Sequence, residues 1–336
     1  MASSKALTQE LIKEVSRKDR SDIKKICDLL QRGVNVNGRT YDYYGRRTLP
    51  VLMISAMKGD VRIVKELLKH ENLDVNAKDN DGITALIWAI YRDHAEVVSI
   101  LLRDDRVDVN AKGNRGNTAL IEAIRLDHDE IVRILLKDDS VDINAKDIQG
   151  STALTWAIRR GRKGRVVVGI LLKDDRVEVN AKDNDGIAAL MFASECGEAE
   201  VVRILLKDER MDVNAKNDHG RSALIIASQK GYQEVVRILL KDERMDVNAT
   251  DIDGRTAFHW ASLRGHAEVV SILLKDDRVE VNAKDNDGAT ALMVGIRNGR
   301  EEVVRILLED DRGEVNAKDY RGLSAFFWAN YTGGWL

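Results

Sequence analysis

Apolar positions along the chain fall into short bursts with helical spacing, separated by polar segments rich in Asp, Asn and Gly. Ala89 and Ile90 follow Leu86 at steps of three and four, and Val97, Val98, Ile100, Leu101 and Leu102 form a second, broader burst. Such steps reproduce the α-helical period, so each burst predicts a short helix with one buried stripe. The stretch Asp251 to Ala283 holds every part in order: a turn at Asp253-Gly254, a first burst, a break at Gly265-His266, a second burst, and a closing Val281-Asn282-Ala283.

The order recurs in phase. The turn glycine appears as Gly82, Gly116, Gly150, Gly186, Gly220, Gly254, Gly288 and Gly322, in steps of 34 except for one of 36. The closing asparagine keeps the same steps at Asn76, Asn110, Asn144, Asn180, Asn214, Asn248, Asn282 and Asn316. A period of roughly 20–50 residues predicts a solenoid or array, because units this small bury their apolar faces only by stacking on one another.

These residues resemble the ankyrin repeat, a unit of about 33 residues with a β-turn, two antiparallel helices and a T-P-L-H-x-A signature. The signature stands as Thr84-Ala85-Leu86-Ile87-Trp88-Ala89, Thr118-Ala119-Leu120-Ile121-Glu122-Ala123 and Thr256-Ala257-Phe258-His259-Trp260-Ala261. Ala replaces the usual Pro in most copies, and the His survives only at His259. The likeness covers about residues 40 to 330 and implies an all-α fold, an ankyrin-repeat solenoid of stacked helix pairs with protruding β-turn tips.

The pattern divides the chain into an N-terminal capping helix pair (1–41), eight repeats and a terminal half repeat (319–336). The repeats fall at about 42–78, 79–112, 113–146, 147–182, 183–216, 217–250, 251–284 and 285–318. In the cap, Leu11, Ile12 and Val15 of the first helix and Ile23, Ile26, Leu29 and Leu30 of the second fall on an apolar stripe, while Lys5, Lys13, Arg17, Lys18 and Arg20 are expected in water. The first repeat is longer after Gly45 and carries the only proline, Pro50. Asp93-x-x-Glu96 and Asp127-x-x-Glu130 read as capping boxes for second helices, where the other copies have Gly. The fourth repeat gains two residues in Arg159 to Arg165, a basic run that reads as a solvated loop or a phosphate-binding or nuclear-import segment. Phe326, Phe327 and Trp328 crowd the half repeat, so this end is expected to meet further chain or another subunit.

Composition narrows function only slightly. Net charge is −3 with 32% charged residues, so no global field calls for nucleic acid or an anionic membrane. No apolar run reaches the roughly 18 residues of a membrane span. Cys27 and Cys196 lie several repeats apart, which argues against a disulfide framework. A cytoplasmic protein is the expectation.

No catalytic or cofactor chemistry is recognisable. The six histidines are dispersed, there is no CxxC or HExxH, and no metal or cofactor is expected. Tips such as Asp79-Asn80-Asp81-Gly82 lack the bidentate Glu of a calcium loop and read as β-turns.

Ligands of ankyrin repeats usually meet the turn tips and the ends of the first helices. Transferred by repeat position, the resemblance selects Lys58, Tyr91, Arg92, Arg125, Arg159, Arg160, Lys230, Arg264 and Arg297, a predominantly basic set on a predicted concave face. Cations at helix C-termini are also favoured by the helix dipole, by roughly 0.3–1 kcal/mol each, which accounts for the same enrichment without a ligand. Trp88, Trp156, Phe192, Trp260 and Trp328 share one first-helix position, as core filling or as anchors for a partner. The expected function is a scaffold or adaptor that binds a protein or peptide, acidic or phosphorylated, along the basic face. An enzyme or small-molecule site near the fourth repeat is the alternative, and nucleic-acid binding a third.

Overall fold

The computed structural model describes residues 4–17, 22–41 and 48–331. Lys18 and Arg20 of the cap, the insertion after Gly45 and residues 332–336 lie outside the described residues. The chain divides into two compact units, Met1–Trp156 and Ala157–Leu336.

The first unit begins with the helices Ser4–Ser16 and Ile23–Gln31, which bury Leu11, Ile12, Val15, Ile26, Leu29 and Leu30. Glu14 is buried with them and is held by Arg17 Nη1 at 2.7 Å and by the Asp22 amide at 3.0 Å. A small antiparallel sheet follows, Arg39–Tyr41 against Thr48–Pro50 with Thr40 opposite Leu49. The helical periodicity had given no sign of it. Helix pairs then run Val51–Lys58 with Val61–Leu68, Ala85–Tyr91 with Ala95–Leu101, and Ala119–Arg125 with Asp129–Leu135.

In the second unit the pairs are Ala189–Glu195 with Ala199–Leu206, Ala223–Lys230 with Gln233–Leu240, Ala257–Arg264 with Ala267–Leu274, and Ala291–Arg297 with Glu301–Leu308. Within each unit, first helices pack on first helices and second on second. The recurrent alanines at that contact, Ala89 and Ala123 in one unit and Ala193, Ala227 and Ala261 in the other, have no exposed surface and permit close approach.

Local sequence sets the helix ends. Thr84, Thr118, Ser222, Thr256 and Thr290 each accept the amide three residues on, satisfying an N-terminal donor that the helix leaves open. Gly59, Gly231 and Gly265 end first helices in the left-handed region. Asp93 and Asp127 adopt the same conformation, with φ of 58° and 73°, so the capping-box reading is corrected. The second helices there start at His94 and His128, neither of which makes a side-chain cap. Aspartate is one of the few non-glycine residues that tolerates this region, and Asp93 is further tied to His128 Nδ1 at 3.1 Å.

The closing asparagines do more than shape a turn. In the first unit Asn76 Nδ2 donates to the Arg106 carbonyl and its Oδ1 accepts the Asp108 amide, both at 2.7 Å. Asn37 and Asn110 bridge forward in the same way. In the second unit Asn180, Asn214, Asn248 and Asn282 repeat the pattern at 2.8–2.9 Å. The short segments after the second helices, KDDR or KDER in most copies, RDDR at 103–106 and EDDR at 309–312, reach backward. Arg106 grips Asp104 with Nε at 2.9 Å and Nη2 at 2.7 Å, and donates to the Leu68 and His70 carbonyls at 2.8 and 2.9 Å. Its hydrogen bonds hold the Asp104 carboxyl below the usual carboxylate range. Arg210, Arg244, Arg278 and Arg312 cap Leu172, Leu206, Leu240 and Leu274 likewise.

The two extra residues of the fourth repeat are taken up in a single 3-10 turn, Gly161–Gly164, ahead of the helix Arg165–Leu171. A Cβ on Gly164 would sit 1.8 Å from the Ala157 carbonyl oxygen. Gly164→Ala is therefore expected to destabilise by about 1–3 kcal/mol, as forced overpacking does, measured by chemical denaturation. Gly295 is the opposite case. It stands where other copies have Ala, inside the helix Ala291–Arg297, and a Cβ there would meet Val303 and Val304 at an ordinary 3.5 Å. Gly295→Ala should raise stability by about 0.5–1 kcal/mol, and a lower denaturation midpoint would contradict this packing.

Candidate functional site

The residues selected from the sequence sit at the ends of the first helices, but their surroundings differ. In the first unit Lys58 Nζ donates to the Val15 carbonyl at 2.5 Å and also to the Arg17 carbonyl, and desolvation lowers its pKa. Its ammonium is spent on anchoring the cap. Arg125 Nε bonds Glu122 at 2.9 Å, and Tyr91 Oη donates to the same carboxylate at 3.1 Å. Arg92 is exposed. Two of the three basic residues in this set are thus engaged by partners within the chain.

The second unit holds more outward positive charge. Arg159 lies 5.0 Å from the Phe192 ring, Arg264 5.7 Å from Trp260, and Arg297 4.6 Å from Trp328. Among the described residues, neither Arg264 nor Arg297 forms a salt bridge. Lys230 pairs with Glu195 at 3.3 Å, and burial lowers the pKa of Arg160. Two further arginines, absent from the sequence-based set, complete the cluster around Trp260: Arg221 at 4.5 Å and Arg255 at 5.6 Å from its ring. Three guanidiniums therefore surround one indole, within the distance at which a cation is drawn to an aromatic face. Arg221 and Arg255 are tempered by Asp251 and Asp285 at 3.8 and 3.7 Å.

The aromatic position has a definite partner. Trp88 Nε1 donates to Asp79 at 3.1 Å, Trp156 to Asp147 at 2.9 Å, Trp260 to Asp251 at 2.8 Å and Trp328 to Asp319 at 3.2 Å. The same aspartates fold the turn tips: Asp251 Oδ1 accepts the amides of Asp253 and Arg255 at 3.0 and 2.9 Å. An Asp nine residues before a Trp was the sequence signal for this pair. Trp88 and Trp260 are buried, while Trp156, Phe192 and Trp328 are half-buried. At the far end Phe326, Phe327 and Tyr331 are exposed, and Phe327 stacks on Tyr331 at 6.1 Å.

The third copy breaks the scheme. Glu122 takes the aromatic position and Gly113 takes the place of the aspartate. Glu122 is 3% exposed and fully engaged by Tyr91, Arg125 and Asn117, the last at 2.8 Å. Desolvation, reinforced by the Glu122 charge, pushes the Tyr91 phenol up to about 12. Beside Glu122 lies a hollow of about 360 Å3, lined by Tyr91, Asn114, Arg115, Asn117, Glu122 and Arg125. Beside it, a smaller hollow of about 280 Å3 reaches Asp147 and Trp156.

A sequence model of ankyrin repeats matches residues 18–113, 52–147, 107–183, 162–251 and 242–319 in overlapping blocks. The chain belongs to the ankyrin-repeat family. Among solved structures it is similar to the ankyrin repeat domain of Bcl-3, described as a unique member of the IkappaB protein family. The identity is 26% and the TM-score 0.60, over 66% of this chain and 96% of that domain. No curated protein matches the sequence significantly. Ankyrin repeats are in general protein–protein interaction modules. Among the described residues no helix is long and apolar enough to cross a membrane, and no group of three or more His, Cys, Asp or Glu side chains is placed to hold a metal ion. Cys27 and Cys196 are free thiols.

The family's signature histidine, His259, is completely buried. Its Nε2 faces the Ala289 carbonyl at 3.0 Å and its Nδ1 faces the Thr256 amide and hydroxyl, so the geometry calls for the neutral ring with the proton on Nε2. Burial, outweighing the Ala289 bond and the Asp285 charge, lowers its pKa. A depressed folded-state pKa contributes stability that is present above the unfolded value of about 6.5 and is lost as pH falls through the folded value. The corresponding residue is Ile at Ile87, Ile121 and Ile225. From pH 7 to pH 5 the melting temperature of the natural chain should fall further than that of His259→Ile. Parallel losses would remove His259 as the source.

Proposed function

We propose that this ankyrin-repeat protein is an interaction scaffold or adaptor whose second unit takes an acidic, including a phosphorylated, protein segment across the ends of its first helices. The observation that carries this reading is the ring of Arg221, Arg255 and Arg264 around Trp260, continued by Arg297 over Trp328. Packing on the indole holds each guanidinium plane in place and reduces the side-chain entropy lost when a carboxylate or phosphate docks. The fork geometry of arginine suits both anions in a bidentate manner. Helix dipoles explain cations at helix ends, but Arg221 and Arg255 precede their helices and have no such reason to be there.

Arg264→Glu and Arg297→Glu are the informative variants, because both side chains are exposed and neither supports the core. Acidic and phosphorylated peptides selected on the full chain should bind each variant about tenfold or more weakly, with melting temperature lowered only slightly, since each reversal also gives up a helix-end and indole contact of about 0.5–1 kcal/mol. Affinity should also fall steeply as salt shortens the Debye length from about 10 Å at 0.1 M. Selection of neutral or basic peptides, or affinity indifferent to both reversals, would overturn the reading.

A further inference from the structure

Two copies lack the arginine that in the others reaches back to cap the preceding repeat, and in one of them the rest of the arrangement is kept. Counting 34 from Arg106 leads to Ser140, while its acidic partner is kept, since Asp104 plus 34 is Asp138. The backbone acceptors are kept as well. The carbonyls of Leu68, His70 and Glu71 receive Arg106, and 34 further on stand Leu102, Asp104 and Asp105. With a short side chain at 140, these groups line an open pocket of about 390 Å3 together with Val107, Asp108 and Asn110. At about 30 Å3 per water molecule in the liquid, that volume readily accommodates a guanidinium.

The acceptors are already positioned. Ser140 N and Oγ both donate to Asp138 Oδ1, at 2.9 and 2.6 Å, and this oxygen corresponds to the one that takes Arg106 Nε in the preceding copy. Among the described residues nothing donates to Asp138 Oδ2, the counterpart of the oxygen that takes Arg106 Nη2 at 2.7 Å. Asn110 fixes the two sides of the pocket relative to each other through the Ser140 carbonyl at 2.8 Å and the Asp142 amide at 2.7 Å. The other copy without arginine, at Asn72, has also lost the carboxylate, since His70 stands in its place. Only at Ser140 is the complete receptor retained while its internal ligand is missing.

We propose that the pocket between Leu102 and Ser140 binds a guanidinium, namely the side chain of an arginine supplied by a protein partner. The recognition chemistry is the one this chain uses on itself: a carboxylate fork against two nitrogens, and helix-end carbonyls against the remaining N–H groups. Asp105 and Asp108 at the rim, without cationic partners of their own among the described residues, favour the approach of a cation.

The test is titration of the full chain with N-acetylarginine amide, followed by the amide resonances of Leu102, Asp138 and Ser140. A saturable shift at these residues is expected. It should vanish in Ser140→Arg, where the chain fills its own pocket and melts at or above the natural temperature, and in Asp138→Asn, where the carboxylate fork is lost. N-acetyllysine amide should bind at least about tenfold more weakly, because an ammonium cannot span the fork. Absence of a saturable shift, a shift that persists in Ser140→Arg, or equal response to the lysine probe would overturn the proposal. Free arginine should bind no more tightly than the capped probe, since the site is matched to the guanidinium alone. Tighter binding of free arginine would replace the partner side chain by a small-molecule ligand.

Discussion

Stacking in this protein depends on the side-chain amide of the closing asparagine. Each repeat is too small to bury its own apolar faces, so a neighbour must be held at one register. A primary amide suits that task because it donates and accepts at once. Asn76 spans to Arg106 and Asp108 with both functions, and Asn214 does the same toward Arg244 and Asp246. Backbone groups where two repeats meet are thereby paired across the joint. Apolar packing supplies most of the driving force, while the amide decides which atoms face which.

Charge is organised around the same constraint. The arginines of the segments after the second helices face backward onto helix-end carbonyls, the aspartates of the turn tips hold an indole N–H, and Lys58 is committed to the carbonyls of the cap. A large share of the charge is therefore architectural, and the balance of Lys, Arg, Asp and Glu says little about binding. What distinguishes one place from another is departure from the scheme: Glu122 for an aromatic residue, Ser140 for an arginine, and the arginines gathered on Trp260.

The helix pairs were legible because their signals are local and repeated: steps of three and four, a Thr or Ser cap, and a glycine where the chain turns left-handed. The in-phase signature at Thr84, Thr118 and Thr256 brought the family with it. The sheet Arg39–Tyr41 with Thr48–Pro50 was not legible, since three-residue strands carry no periodicity. Asp93 and Asp127 were misread because aspartate serves equally at an N-cap and in a left-handed residue, and only φ separates the two. At the candidate site the helix-end arginines could be read by position, but Arg221 and Arg255 could not. They reach Trp260 through space from turns that precede two different helices. The Asp-to-Trp and Asp-to-Arg pairings were present in the sequence, at separations of nine and two, and became readable once copies were laid over one another.

The 3-10 turn Gly161–Gly164 has a consequence for how such a chain tolerates change in length. Two residues were accommodated there without disturbing the marker spacing that follows, where Gly186 and Gly220 are again 34 apart. The segment joining the two helices of a repeat lies within the span bridged by the asparagine, whose contacts fall 30 and 32 residues ahead in the regular copies. An insertion between helices lengthens the chain without lengthening either helix when it is folded into one turn against a carbonyl such as that of Ala157. Changes in length thus fall in segments that join elements, here between two helices and, by the sequence, after Gly45 in the first repeat.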